Sequence, residues 1–389
     1  MRTCGIVAEF NPFHNGHKYI INKARESGFD NVVVVMSDNF VQRGEPAVFE
    51  TQLRADAALR GGADLVLQLP VIHALSGAQT FARGAVGILN ATGVVDSLVF
   101  GSECADIEML EKAADLLCGN ALDKAIKSEL SGGITYAAAR ENALRAVSPE
   151  LADIIKEPNN ILAIEYISAL KILGSGISPI AFERTVPHDS EEKSDSFTSA
   201  SHIRKMIYSG DNYYDYVPSF YNDFTDIDAV SFNKFEAAVL CKLRNMKAEE
   251  IAALPDISEG IENRILKAAQ TSSSLEEMYF TAKTKRYTLA RIRRIVLCAL
   301  IGITREDAAL ESPYIRVLGM NGKGAKILAR MKDTAALPVI SKTADIALCS
   351  GQAKRVFSLE CTATDIYTAC LELPMPAGIE KDRRPIIYK

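Results

Sequence analysis

From residue 3 to about residue 102 the chain alternates short apolar runs with segments whose apolar positions recur every three or four residues. The runs Cys4–Phe10, Asn31–Ser37, Ala63–Leu69 and Ser97–Ser102 predict strands, and their near-continuous apolar character predicts burial on both faces, as in a parallel sheet. Between them, residues 14–27, 50–61 and 79–91 have helical periodicity and stop near Gly28, Gly61-Gly62 and Gly93, residues suited to closing a helix C-terminus. This is a βαβ series. Helices are expected to follow through 106–173, with a fifth strand near Pro179–Arg184 and a helix from about Ser199. The fold class predicted for residues 1–210 is therefore α/β, a doubly wound, Rossmann-like parallel sheet.

Beyond Asp211 the texture changes. Tyr213, Tyr214, Tyr216, Pro218, Phe220 and Tyr221 crowd one stretch, and the pattern afterwards is chiefly helical, around 231–246, 259–270, 274–281, 288–302 and 322–331. A second, mainly helical domain over 211–389 is expected, with the boundary near 208–230. Two domains also suit a chain of 389 residues, since single cores rarely grow so large.

Composition excludes several classes. With 48% hydrophobic and 24% charged residues and no fixed-period repeat, the chain reads as an ordinary soluble globular protein rather than a disordered or solenoid one. Its eight cysteines are scattered without a C-x-x-C pair, which favours free thiols in a reducing cytoplasm over disulfides or structural zinc. The N-terminus lacks a signal-peptide core, and the longest aliphatic run, Val32 to Met36, is too short to span a bilayer. Net charge is −5, so any nucleic-acid partner must meet a local basic patch.

The chemistry concentrates after the first strand. Asn11-Pro12-Phe13-His14-Asn15-Gly16-His17 turns that strand into a helix, and in open parallel sheets ligands sit at this carboxyl edge, over the free N–H groups of the first helix. His14 and His17, three apart, share one face of the helix start, and Gly16 between them lets a ligand approach the backbone. Imidazoles so placed can hydrogen-bond phosphate oxygens and stabilise charge that grows as pyrophosphate leaves. A plain helix-terminal pair is the competing explanation; two of five histidines falling in one Pro- and Gly-bearing turn favour function.

An H-x-G-H string in that setting resembles the nucleotidylyltransferase superfamily, and the fuller string Gly5 to His17 is similar to the bacterial tRNA(Met) cytidine acetate ligase family. Further blocks carry the resemblance along nearly the whole chain: Gln42 to Ala47, Phe100 to Glu103, Pro158 to Leu162, Lys283 to Thr288 and Tyr314 to Gly319. It implies an ATP-dependent enzyme that adenylates acetate and transfers the acetyl group to N4 of the wobble cytidine of elongator tRNA(Met), with Mg²⁺ arriving on the ATP. It implies His14 and His17 as catalytic residues. Its ATP contacts fall on Val7, Ala8, Glu9, Phe10, Asn11, Pro12, Phe13, His14, Asn15, Gly16, His17, Lys18, Tyr19 and Ile20, and on Gly101, Asn159 and Arg184. The superfamily's second phosphate motif, S-S-T-x-I-R, stands here as Ser199-Ala200-Ser201-His202-Ile203-Arg204, so Ser199 and Ser201 join the expected ATP contacts, although the middle serine is lost. Asn160 beside Asn159, and a helix-capping role for either, remain open alternatives.

One segment points to RNA. Between Ala282 and Arg294 lie Lys283, Lys285, Arg286, Arg291, Arg293 and Arg294 with no acid, and Tyr287 among them, a candidate tRNA-binding surface that Arg383 and Arg384 extend. Arg43 and Glu45 are candidates to reach over the nucleotide. Two rivals stand beside the ligase reading: an adenylyltransferase joining AMP to a phosphorylated metabolite, and a non-enzymatic RNA adaptor that binds ATP.

Overall fold

The computed structural model describes residues 1–118, 121–184, 196–224, 227–258 and 260–389. Residues 119, 120 and 259, inside or at the start of expected helices, lie outside the described residues.

The first unit runs β1 (Thr3–Ala8), α1 (Asn15–Glu26), β2 (Asn31–Ser37), a small hairpin β3 (Phe40–Val41) and β4 (Glu45–Pro46), α2 (Thr51–Arg60), β5 (Leu65–Leu69), α3 (Val71–Ala74), α4 (Ala78–Thr92) and β6 (Ser97–Ser102). Then come α5 (Ile107–Cys118), α6 (Asp123–Ser131), α7 (Tyr136–Arg145), α8 (Pro149–Ile154), α9 (Pro158–Ile172), β7 (Ser178–Glu183) and α10 (Ala200–Ser209). Every residue of β2 and of β5 is buried, as runs of Val, Met and Leu clad by helices on both faces should be. In the parallel series β5–β2–β1–β6–β7 the strand order reverses at β1. That reversal opens a crevice between β1 and β6, the place where doubly wound sheets bind ligands.

The second half begins, after short 3₁₀ turns, with α11 (Glu236–Arg244), α12 (Ala248–Ala252), α13 (Ile261–Thr271), α14 (Leu275–Ala282), α15 (Leu289–Ile301) and α16 (Arg305–Ala308). It ends with β8 (Ile315–Met320), α17 (Gly322–Thr334), β9 (Val339–Ile340), α18 (Gly351–Ala369), α19 (Ile379–Asp382) and β10 (Ile386–Ile387). Its core gathers Phe235, Val239, Ile265, Ile295, Val296 and Val356, and takes in Phe40, Val71, Ile72 and Leu75 from the first half.

The sheet is not confined to the first 210 residues. β8 adds to β5 antiparallel, and β10 and β9 flank β8 in parallel. A six-residue apolar run whose partner is some 250 residues away carries no local strand signal, which is why helical periodicity alone passes over it. β8 brings a charge with it. Buried Arg316 pairs with buried Glu380, while buried Glu360 of α18 accepts from the Val71 N–H at 2.7 Å and from Gln68 at 2.9 Å. Burial without these partners would cost several kcal/mol per ion, so this network binds the last quarter of the chain to the sheet's carboxyl edge. No helix among the described residues is long and apolar enough to cross a membrane.

Candidate active site

The turn after β1 is held from all sides. Phe10 sits at φ +47, a left-handed position that a non-glycine residue keeps only when its surroundings enforce it. The enforcing contacts are visible. Asn11 accepts the Val48 N–H at 2.7 Å through its side chain and an Arg204 N–H at 2.8 Å through its carbonyl. Fully buried Arg54 donates to the carbonyls of Glu9 (2.5 Å), Ser37 (3.1 Å), Phe49 (2.9 Å) and Asp38, lacing the ends of β1 and β2 together. Arg54 is a residue that sequence reasoning missed. Only its burial distinguishes it from a surface arginine of α2.

His14 and His17 cap α1 reciprocally. His14 Nδ1 accepts the Gly16 N–H at 3.0 Å, and His17 Nδ1 accepts the His14 N–H at 3.2 Å. With both Nδ1 atoms accepting, each neutral ring carries its proton on Nε2, as a donor. The rings lie 3.8 Å apart between centroids, and His17 also packs edge-on against Phe10 at 4.8 Å. Burial, then His14 and Arg184, hold His17 well below the ordinary histidine range. At neutral pH His17 thus donates a hydrogen bond and brings no full charge.

Above them opens a cavity of about 390 Å³. Of the first-turn residues expected to bind ATP, Val7, Ala8, Glu9, Phe10, Asn11, His14, Gly16, His17, Tyr19 and Ile20 wall it. Pro12, Phe13, Asn15 and Lys18 lie off it. Phe13 is sealed in the core, Asn15 donates to the carbonyls of Ser196 (3.0 Å) and Asp215 (3.1 Å), and Lys18 is exposed.

Gly101, Asn159 and Arg184 come from three different elements to the same cavity. A Cβ on Gly101 would lie 3.3 Å from Arg184 Cγ and 3.4 Å from Ile20 Cδ1, so a larger side chain there would fill the hollow. Asn159 donates to Glu103 at 2.5 Å and meets Arg184 at 3.5 Å. Its neighbour Asn160 is buried, accepting from Ser102 (2.6 Å) and the Cys104 N–H (2.8 Å). Neither asparagine caps α9, whose cap position is Glu157 with Pro158 next. Burial lowers the Arg184 pKa against the pull of Glu103, and its Nε has no partner among the described residues.

At α10 the two serines divide. Ser199 is the N-cap, accepting the His202 N–H at 3.2 Å, and Ser201 reaches the cavity beside Arg43 (3.5 Å) and Arg204 (3.4 Å). Thr198, just ahead of the cap, was not singled out by its sequence. It is 5% exposed, it walls the cavity, and its hydroxyl has no hydrogen-bond partner among the described residues. A hydroxyl immediately before an N-cap serine is the signal that could have found it.

The basic segment is only partly a free patch. Lys283 and Lys285 are exposed, and Arg286 is half-buried. Acids from elsewhere in the chain, which local sequence does not display, meet the others: Arg293 pairs with Glu45, and Arg294 with Asp256 at 3.3 Å. Arg291 donates to the Asp256 carbonyl at 2.6 Å and to Ser258 at 2.8 Å. The hairpin tip lies hard against α15: Gly44, at φ +74, has no room for a Cβ, which would sit 2.6 Å from the Arg294 nitrogen. The Arg383 side chain is nearly covered and pairs with Glu50 and Glu380, while Arg384 beside it is exposed.

The HIGH Nucleotidyl Transferase family description matches residues 1–381. A tRNA(Met) cytidine acetate ligase of Acetivibrio thermocellus is 39% identical over 96% of this chain and 96% of its own length. One from Thermoanaerobacter sp. is 39% identical over 98% of each. Among solved structures, Thermotoga maritima TmcAL in its apo form superposes with a TM-score of 0.93 at 31% identity over the whole of both chains. The same protein bound with alpha-thio ATP gives 0.92 at 30% identity, again over both whole chains.

Proposed function

Because this chain belongs to the HIGH nucleotidyl transferases and, among them, to the tRNA(Met) cytidine acetate ligase family, we propose that it joins acetate to the wobble cytidine of elongator tRNA(Met) at the expense of ATP. The carrying observation is the crevice itself, where two Nε2 donors, Gly101, Asn159 and Arg184 face one cavity at the sheet's switch point.

In the first step a carboxylate oxygen of acetate attacks the α-phosphorus of ATP, and the bond to the bridging oxygen breaks, releasing pyrophosphate. His14 and His17 donate through Nε2 to oxygens on which charge develops, and Arg184 with Arg204 neutralises the phosphates. Thr198 supplies a hydroxyl to the same phosphates, which explains a buried donor otherwise left without a partner. Mg²⁺ enters as the triphosphate's counter-ion. In the second step the cytosine N4 attacks the acetyl carbonyl and AMP leaves. A base held in a single-stranded anticodon loop suits this, since it can leave its stack to reach a recessed site.

The sheet half carries the nucleotide chemistry, and the helical half, with Lys283, Lys285 and Arg286 in the turn before α15, whose Arg293 and Arg294 meet the hairpin, holds the tRNA. A tRNA substrate sets the reaction in the cytoplasm. The test is to incubate the purified protein with ATP, labelled acetate and unmodified tRNA(Met), then digest the RNA and weigh its nucleosides. Label in N4-acetylcytidine, with AMP released, is the expected result. AMP retained on a product, or ATP left intact, would overturn it.

A further inference from the structure

Glu9 is an acid in a cavity otherwise furnished for anions. Its Oε1 accepts the Gln42 N–H at 2.7 Å, while its Oε2 has no hydrogen-bond or ion-pair partner among the described residues. The carboxyl walls the cavity all the same. The guanidiniums that act on it donate their hydrogen bonds to other groups: Arg204 to the Asn11 carbonyl and Ser201, Arg43 to Ser201, and Arg54 to backbone carbonyls. A carboxylate repels phosphate oxygens, so its second oxygen does not serve the triphosphate. What it suits is an N–H donor, and exocyclic amines of bases are the donors such an oxygen reads.

Position chooses between the two amines of the reaction. Glu9 is tied through Gln42 to the hairpin after β2, whereas Gly101 and Arg184 stand on the β6 and β7 side, and β1 lies between β2 and β6 in the sheet. Gly101 and Arg184 thus wall the cavity from the β6 and β7 side, and Glu9 walls it from the side of the hairpin. We propose that Glu9 is the general base of the acyl-transfer step, taking the proton of the cytosine amine as it attacks the acetyl-adenylate. The inference rests on the function proposed above. The N4 lone pair forms the C–N bond to the acetyl carbon, the C–O bond to the phosphate oxygen breaks with its electron pair leaving on AMP, and the N4 proton passes to Glu9 Oε2. After AMP departs the acid returns the proton to water.

The setting suits a base. Burial raises the Glu9 pKa, opposed by the Gln42 N–H and by Arg204 of α10, Arg43 of the hairpin and Arg54 of α2. Tyr166 of α9, which feels the Glu9 charge, is raised by burial and then by Glu9, and His17 of the same cavity is lowered by burial, so neither titrates with it near neutrality. A carboxyl raised toward neutrality is in its base form only above its pKa, so transfer rises with pH and then levels.

The experiment supplies synthetic acetyl-adenylate and unmodified tRNA(Met) to the intact protein and follows single-turnover transfer from pH 5 to pH 9. Glu9→Gln keeps an acceptor for the Gln42 N–H, so it preserves the hairpin tie. It is expected to slow transfer by about 10²-fold or more and to abolish the acid limb. Acetate-dependent ATP–pyrophosphate exchange should fall by a much smaller factor, and Glu9→Asp should bring the limb back. An acid limb surviving in Glu9→Gln, or equal losses in exchange and transfer, would overturn the role of Glu9. A wild-type protein that moves no acetyl group from the adenylate to tRNA overturns instead the substrate assignment beneath it.

Discussion

The crevice and the basic segment of α15 are both rich in cations, and they use them in opposite ways. Around the cavity, polar groups are buried without partners: Thr198 Oγ1 and Arg184 Nε have none among the described residues. At α15 the arginines meet acids inside the protein, Arg293 pairing with Glu45 and Arg294 with Asp256, although Arg293 Nε too has no partner among the described residues. A buried donor left unmade costs about 1–3 kcal/mol, so two of them on residues lining one cavity suit a ligand there. Paired arginines hold structure instead. Charge density alone therefore does not locate a binding site; whether acids of the chain already neutralise each cation also counts.

The largest effect should fall on the histidine pair. His14→Ala or His17→Ala is expected to reduce acetate-dependent ATP–pyrophosphate exchange by about 10²-fold or more. His14→Ala should also destabilise the protein by about 1 kcal/mol, since it removes an N-cap. Both are read from exchange kinetics beside thermal unfolding. If exchange persists in both variants, the crevice is no more an active site than α15 is.

Next come the groups that shape the hollow. Gly101→Leu should weaken ATP by about 1–3 kcal/mol through steric exclusion while tRNA binding holds. Thr198→Val should weaken it by about 1.5–3 kcal/mol, with Thr198→Ser restoring affinity, as expected for a hydroxyl donating to a charged phosphate. Titration calorimetry with ATP distinguishes the two. Normal ATP binding in Thr198→Val would mean that its orphan hydroxyl is only a packing defect.

What was legible in the chain divides along the same line. The strand, turn and helix that carry His14 and His17 are contiguous, so period and turn chemistry sufficed. Gly101, Asn159 and Arg184 were reachable only through resemblance, since no spacing links three residues on three elements. Arg54 and Thr198 were invisible because their meaning lies in burial, which depends on what folds over them. In the basic segment the pairing was hidden for the complementary reason. Its own stretch contains no acid, yet Glu45 and Asp256 arrive from distant parts of the chain. β8 escaped likewise, its partner β5 lying far back in the chain.

The Arg293–Glu45 pair can then be weighed as structure. Both side chains are only about a quarter exposed, at 27% and 25%, so screening by water is incomplete. A double-mutant cycle with Arg293→Ala and Glu45→Ala should give a coupling of about 1 kcal/mol in urea unfolding. A coupling indistinguishable from zero, together with a loss of tRNA affinity in Arg293→Ala, would return Arg293 to the RNA surface.

The smallest effects should separate the exposed lysines from those arginines. Lys283 and Lys285 are exposed, so Lys283→Ala and Lys285→Ala should leave unfolding within about 0.5 kcal/mol of wild type. If each meets a tRNA phosphate, removing it releases one fewer counter-ion on binding, and the slope of log K against log salt should fall by about 0.7–0.9 per lysine. Affinity itself should drop only a few-fold at moderate salt, and ATP–pyrophosphate exchange should not change, because neither lysine walls the cavity. Filter binding of tRNA(Met) at four or more salt concentrations gives both slope and affinity from one series. An unchanged slope in the double variant would leave Lys283 and Lys285 as a solvated turn. The search for the tRNA surface would then move to cations that, like Arg184 in the crevice, are held in place without being used up.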